Sequence, residues 1–297
     1  MKYLLTAAAL IMVSVNAQSY RGDISGGYIS GSTTGSGGYQ PPSGYEPPTT
    51  PGEPLPTEPV PTEPMNVSSS EDYEGWNLAG RIYFNEVETS RGPLALASFL
   101  QRTGHLGLTY TNTETDSGAE TKEWVLDSRF VINSLVMEAA YGKRDGGAST
   151  QSDADLWRAA LGYYIGDDTQ VRAAYEATDT DGGDNGNRYV VDITHVQDLS
   201  NGMTWSANAL VGWVDEDADD GTDLNLLFDW FFNDNVSVGT ELTYSDRDVV
   251  GNTFDYEVHG DYFITDRLSL RLSYFNQDYG DTDVETDGLL FQFLFRR

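Results

Sequence analysis

The chain carries three histidines, His105, His195 and His259, and no cysteine. One of them, His259, stands between Glu257 and Asp261, two residues away on each side. In an extended strand these three side chains share one face, because successive residues point to opposite sides. A carboxylate beside an imidazole is the raw material of acid–base or nucleophilic catalysis. The same row also serves as a charged wall that performs no reaction. The rest of the sequence favours the wall. No Gly-x-Ser-x-Gly and no His-Glu-x-x-His motif occurs, and His195 falls near the end of a strand. The chain is therefore read as a non-enzyme. Lack of cysteine removes disulfides and thiolate metal sites. Two acidic loops, Asp179–Asp184 and Asp215–Asp223, crowd carboxylates together. The EF-hand order breaks at Gly183 and no glutamate closes the loop, so neither a metal nor a cofactor is expected.

The element that positions His259 is plain from its neighbours. Phe254, Tyr256, Val258, Gly260 and Tyr262 alternate with Asp255, Glu257, His259, Asp261 and Phe263. That is a strand with one apolar and one charged face. The pattern recurs through the last three quarters of the chain in segments of about ten residues, the length that crosses a bilayer as a tilted strand. Trp76–Asn85 comes first, then Leu94–Gln101, whose pattern is weaker and also fits a short helix. His105–Thr113, Glu123–Ile132, Leu135–Tyr141, Leu156–Tyr164 and Gln170–Thr178 follow. Arg188–Val196, Thr204–Val214, Leu224–Phe232, Val236–Ser245, Thr253–Ile264, Leu268–Phe275 and Gly288–Phe295 complete the series.

The connections alternate in kind. Asn133-Ser134, Gly166–Thr169, Asp198–Gly202, Asn233–Asn235 and Thr265–Arg267 are short. Glu114–Thr121, Lys143–Asp155, Asp179–Asn187, Asp215–Asp223, Asp246–Asn252 and Asn276–Asp287 are long, acidic and glycine-rich. Short turns at one end and long polar loops at the other are the signature of an outer-membrane barrel, with periplasm below and exterior above. A β-sandwich does not predict that alternation.

Composition agrees. The formal net charge is −30, which repels phosphate and excludes nucleic acid as a partner. Mean hydropathy is −0.43, too polar for a helical membrane protein. The 18 tyrosines and 31 glycines suit a transmembrane barrel with aromatic girdles. Met1–Ala17 reads as a signal peptide: Lys2 is the positive end, Tyr3–Val15 the short apolar run, and cleavage falls before Gln18. Gln18–Asp72 is expected to be a disordered periplasmic linker, Gly/Ser-rich to Gln40 and Pro-rich over Pro41–Pro64. The Pro-rich part would extend roughly 70 Å at about 3.1 Å per residue. It offers a tether, with peptidoglycan the partner at hand. The barrel itself is expected over Tyr73–Arg297.

Two local sequences carry a resemblance. The last strand alternates Leu289, Phe291, Phe293 and Phe295 with Leu290, Gln292 and Leu294, ending in Phe295-Arg296-Arg297. It resembles the insertion signal of Gram-negative outer-membrane barrels, with the aromatic third from the end. The stretch from Tyr83-Phe84-Asn85 through Thr89-Ser90-Arg91-Gly92-Pro93-Leu94 to Phe99-Leu100 resembles a loosely defined porin family. The resemblance implies an all-β, antiparallel up-and-down transmembrane barrel in the outer membrane and a pore role.

The count is about fourteen strands, with twelve the alternative. An eight-stranded barrel is filled by its side chains, and a larger one encloses space. With the apolar face toward lipid and lipopolysaccharide, the other face lines the lumen. The expected lining acids are Asp127, Glu138, Glu176, Asp192, Asp229, Glu241, Asp255, Glu257 and Asp261. The expected bases are Arg81, Arg129, Arg158, Arg172 and Arg271, with His259 among them. Acid and base together set a field across a wet channel for small hydrophilic solutes, and the excess of acid favours cations. Asp255, Glu257 and Asp261 are the foremost candidates for the selective wall. A second reading is a non-conducting structural or adhesive barrel that displays its acidic loops and holds the wall through the tail. Monomer and trimer both fit, because an apolar face between barrels reads like one facing lipid.

Overall fold

The computed structural model describes residues 19–36, 68–90, 92–116, 118, 120–146, 153–181, 185–216, 220–248, 251–280 and 284–297. The expected signal peptide and the run Pro41–Pro64 lie outside the described residues. Fourteen strands make up the fold: β1 (Ser19–Ser36), β2 (Ser68–Glu88), β3 (His105–Thr115), β4 (Glu120–Ile132), β5 (Leu135–Gly146), β6 (Ala154–Ile165) and β7 (Thr169–Thr180), then β8 (Gly186–Asp198), β9 (Thr204–Glu216), β10 (Gly221–Asn233), β11 (Val236–Arg247), β12 (Gly251–Thr265), β13 (Leu268–Tyr279) and β14 (Val284–Arg296). Each pairs antiparallel with its sequence neighbours, and β1 pairs with β14, so the sheet closes on itself. Closure removes the unpaired edges that lipid could not satisfy.

Length and patterning fit a bilayer. The 12 residues of β5 extend about 40 Å and rise about 28 Å when tilted by about 45°. That matches a hydrocarbon core of about 30 Å. Leu78, Leu108, Leu126, Leu161, Val191, Leu226, Val258 and Leu272 point outward and are exposed. Near the long loops the same face carries Trp76, Tyr110, Trp124, Tyr141, Trp157, Tyr175 and Tyr189, many in ring contact with the next strand. Near the short turns it carries Phe84 stacked on Phe130, with Tyr163 and Tyr262. Two aromatic belts with an aliphatic band between them are what the two membrane interfaces require. The tight β4–β5 turn closes on Asn133 at φ 57°, a conformation asparagine tolerates better than most residues.

The first strand corrects the sequence reading. Gln18–Asp72 was expected to be a linker, yet Ser19–Ser36 forms β1 and β2 already begins at Ser68. The stretch hides its strand because glycine and serine fill most of its positions. Its outward residues are nevertheless Ile24 and Tyr28. Its neighbours supply the missing bulk. A Cβ on Gly26 would lie 2.8 Å from the Phe293 ring, and one on Gly31 would lie 2.5 Å from Tyr73 Oη. Aromatic side chains of β14 and β2 thus cover the bare glycines of β1.

The second correction follows from the first. Ser36 pairs with Ser68, and Gly35 pairs with Val284 beside the long β13–β14 loop. The ends of β1 and β2 that flank residues 37–67 therefore lie at the long-loop rim. Residues 37–67 connect two strands of the barrel, and the expected Pro-rich linker lies outside the described residues. The short-turn rim instead holds the other end of β1, where Arg21 N donates to Arg297 O at 2.7 Å.

The third correction concerns Leu94–Gln101. Leu94–Leu96 is a 3₁₀ turn and Ala97–Leu100 a short helix, α1. Leucine and alanine favour helix, and the segment has no period of two to hold it in a sheet. The expected fourteen strands are reached because β1 takes its place. Ala97 packs with Tyr20, Tyr83 and Val87 in a small buried cluster at the short-turn rim.

Candidate functional site: the barrel lumen

The face opposite the lipid-exposed residues lines the interior, and period two puts all fifteen expected lining residues on it. They sort into two walls. One wall spans β2 to β8. The Glu138 carboxylate accepts from Arg129 Nη1 and from Arg172 Nη1, each at 2.6 Å, and Arg172 Nε donates to Asp192 at 2.8 Å. Arg129 Nη2 also donates to Tyr164 Oη at 2.9 Å and to Gln170 at 2.8 Å. Four charges on four strands are thus tied in one row. Arg172 reaches over β6 to Glu138 because Gly162 and Ala160 leave that strand low.

Nearer the long loops runs a second row. Arg158 lies 3.3 Å from Glu176, whose other oxygen accepts from Arg188 at 2.9 Å. Arg188 Nε then donates to Asp223 at 2.7 Å, and Arg247 completes the row at 2.8 Å. His105 and Asp127 lie 2.7 Å apart beside Arg81. Arg81, Asp127, Arg129, Glu138, Arg158, Arg172 and Glu176 line a single recess of about 530 Å³. Ion pairs with such short contacts offset each other's desolvation, and their cost appears when one partner is removed.

The other wall spans β11 to β13. Glu241, Asp255 and Glu257 line a recess of about 250 Å³ with Thr243, Asn276 and Gln277. Among the described residues none of these acids pairs with an arginine or lysine. Glu241 accepts from Asn225 Nδ2 at 2.6 Å. Asp261, by contrast, is clamped by Arg271 through two bonds of 2.8 and 2.9 Å. Of the three acids expected to form a selective wall, Asp261 is therefore the one with an arginine partner. In a ring of fourteen, β12 stands seven strands from β5. The acidic recess therefore faces the arginine-rich one across the lumen.

His259 occupies neither recess. Its Nε2 lies 2.7 Å from Asp229, and its Nδ1 lies 3.4 Å from Glu257. The side chain is 1% exposed, so no solute reaches it. Ser206 donates its hydroxyl to Asp229 at 3.3 Å and not to the imidazole. The row of acids around His259 is a strut between strands.

The segment after β2 was not foreseen at this site. Leu94 N donates to Asp234 O in the β10–β11 turn at 3.0 Å. Arg102 Nη2 reaches Gly166 O, and Asp167 at 2.7 Å, in the β6–β7 turn. Tyr164 Oη donates to Phe99 O at 3.2 Å. The chain from Pro93 to Thr103 therefore ties into turns on distant sides of the short-turn mouth. Also missed were Arg188, Asp223, Arg247 and His105. Asp223 and Arg247 read as loop residues, although continuing the parity of Asn225 and Thr243 by one step places both on the lumen face.

A closed, even-stranded barrel with two aromatic belts outside and charge inside defines a transmembrane β-barrel of the outer-membrane type. Residues 64–186 match the family model described as "Putative general bacterial porin", and over that stretch the chain is similar to those porins. Among solved structures it is similar to outer membrane protein Omp33 of Acinetobacter baumannii, with 17% identity and a TM-score of 0.57 over 94% of this chain and 99% of that one. That likeness bears on the fold. OprB of Pseudomonas putida matches at 8% identity and a TM-score of 0.45, covering 93% of this chain and 94% of that one. The KdgM porin matches at 12% identity and 0.43, covering 60% and 93%. No curated protein matches the chain.

Proposed function

We propose that the barrel is a porin-like channel through which small hydrophilic solutes diffuse passively, with a weak preference for cations. The observation that carries the proposal is the pair of unlike walls. On one, arginines and acids are tied to each other in rows; on the other, Glu241, Asp255 and Glu257 stand without a basic partner except the His259 contact to Glu257. Unpaired acids at a wet wall concentrate cations, and arginines opposite them set a field across the axis. Permeation needs no covalent chemistry. The Pro93–Thr103 segment at the short-turn mouth narrows the exit and favours small solutes.

The test is planar-bilayer recording on the refolded protein. Steady conductance is expected. Silence from protein shown to be folded overturns the proposal in favour of the structural or adhesive barrel.

A further inference from the structure

Two ion pairs in this lumen join strands that are not neighbours across a glycine. Asp229 on β10 and His259 on β12 stand in one register row with Gly239 of β11 between them. A Cβ on Gly239 would occupy the space of Asp229 Oδ1 and His259 Nε2, and would lie 2.7 Å from His259 Cε1. Arg188 on β8 reaches Asp223 on β10 across Gly212 of β9. A Cβ there would lie 3.0 Å from Arg188 Nε and 3.4 Å from Asp223 Cβ. Arg81 of β2 and Asp127 of β4 flank Gly107 of β3, and a Cβ there would lie 2.9 Å from Asp127 Cγ. Real Cβ atoms essentially never approach another heavy atom more closely than 3.0 Å.

Two glycines on the lipid face of the same sheet, Gly80 and Gly260, differ. A Cβ on Gly80 or on Gly260 would meet nothing nearer than 3.8 Å. Strand glycine costs stability through backbone entropy and lost packing, so its placement under charged pairs calls for a cause. The side chains themselves show it. With no Cβ beneath, a carboxylate and an imidazole or guanidinium lie flat along the wall and meet. With a Cβ, one or both must lift toward the axis, which narrows the lumen and leaves an acid unpaired.

We infer that Gly239, Gly212 and Gly107 are positioning residues that set the open cross-section and the charge balance of the lumen. The inference rests on the channel reading. It makes Glu241 and Asp255 the dominant field because the charges over Gly239 and Gly212 are held flat in pairs, and Asp127 lies flat over Gly107 against His105.

The test compares G239A with G260A, two Gly-to-Ala changes on opposite faces of adjacent strands. Folding is followed by heat-modifiable gel mobility. Conductance and reversal potential in a KCl gradient are then read in planar bilayers. G260A keeps the wild-type values. G239A loses conductance and shifts its reversal potential toward cations, because Asp229 no longer meets His259. In G239A/H259S the ring is gone, so conductance recovers while the shift toward cations stays. A folded G239A with wild-type conductance and reversal potential overturns the inference. If G239A fails to fold, G239A/H259S must fold; failure of both also overturns it. A wild-type barrel that does not conduct defeats the channel reading first and this inference with it.

Discussion

The two walls of the lumen are built from the same residue types and behave differently. Between β2 and β8, Glu138, Asp192 and Glu176 each meet at least one arginine at short range. Between β11 and β13, Glu241 and Asp255 meet amides and hydroxyls. A carboxylate in the first wall is a structural member, since its charge is spent on its neighbours. A carboxylate in the second wall has no arginine or lysine among the described residues to offset its charge. The difference teaches that the number of acids in a lumen says little about its field. What matters is which of them the strand register leaves without a base.

The comparison can be broken by removing one acid from each wall. Glu138→Ala leaves both Arg129 and Arg172 short of a partner in a place where their side chains are 15% and 21% exposed. The expected loss is about 3 kcal/mol of unfolding free energy, measured by urea titration of the barrel in micelles. Its reversal potential should move toward anions. Tyr164→Phe removes the hydroxyl that accepts from Arg129 and donates to Phe99 O. The expected cost is about 1 kcal/mol, with a rise in conductance as the mouth segment loosens.

Asp255→Asn and Glu241→Gln should change stability by no more than about 0.5 kcal/mol, the range of substitutions that break no buried network. Their effect falls on selectivity, with the reversal potential moving toward zero. A stability loss equal to that of Glu138→Ala would erase the distinction between the walls. The mildest perturbation is salt. Raising the concentration from 0.1 M to 1 M shortens the screening length from about 10 Å to about 3 Å. Cation preference should weaken accordingly, while the paired wall and the fold stay intact.

Which side chains face the lumen was legible in the sequence, because a strand has a period of two and one apolar face fixes the other. Arg81, Asp192 and Glu257 could be assigned inward without any knowledge of partners. What pairs with what was not legible. Arg172 bonds Glu138 across an intervening strand, and His259 bonds Asp229 across Gly239. Such contacts depend on register and on a missing Cβ, which alternation does not report. Asp261 was expected to act with Asp255, yet Arg271 on the next strand neutralises it. β1 escaped notice because its glycines borrow their cover from Phe293 and Tyr73. The place of Leu94–Gln101 at the mouth was not legible either, because its ties to the β6–β7 and β10–β11 turns are tertiary.

The central claim is that the unpaired acids of β11 and β12 set the charge preference of an open lumen. The most direct measurement is the zero-current potential of single wild-type channels across a KCl gradient, repeated with Glu241→Gln/Asp255→Asn. The account predicts a potential of the sign set by potassium in the wild type, reduced toward zero in the double variant. A chloride-selective wild type, or a double variant with the wild-type potential, would contradict it.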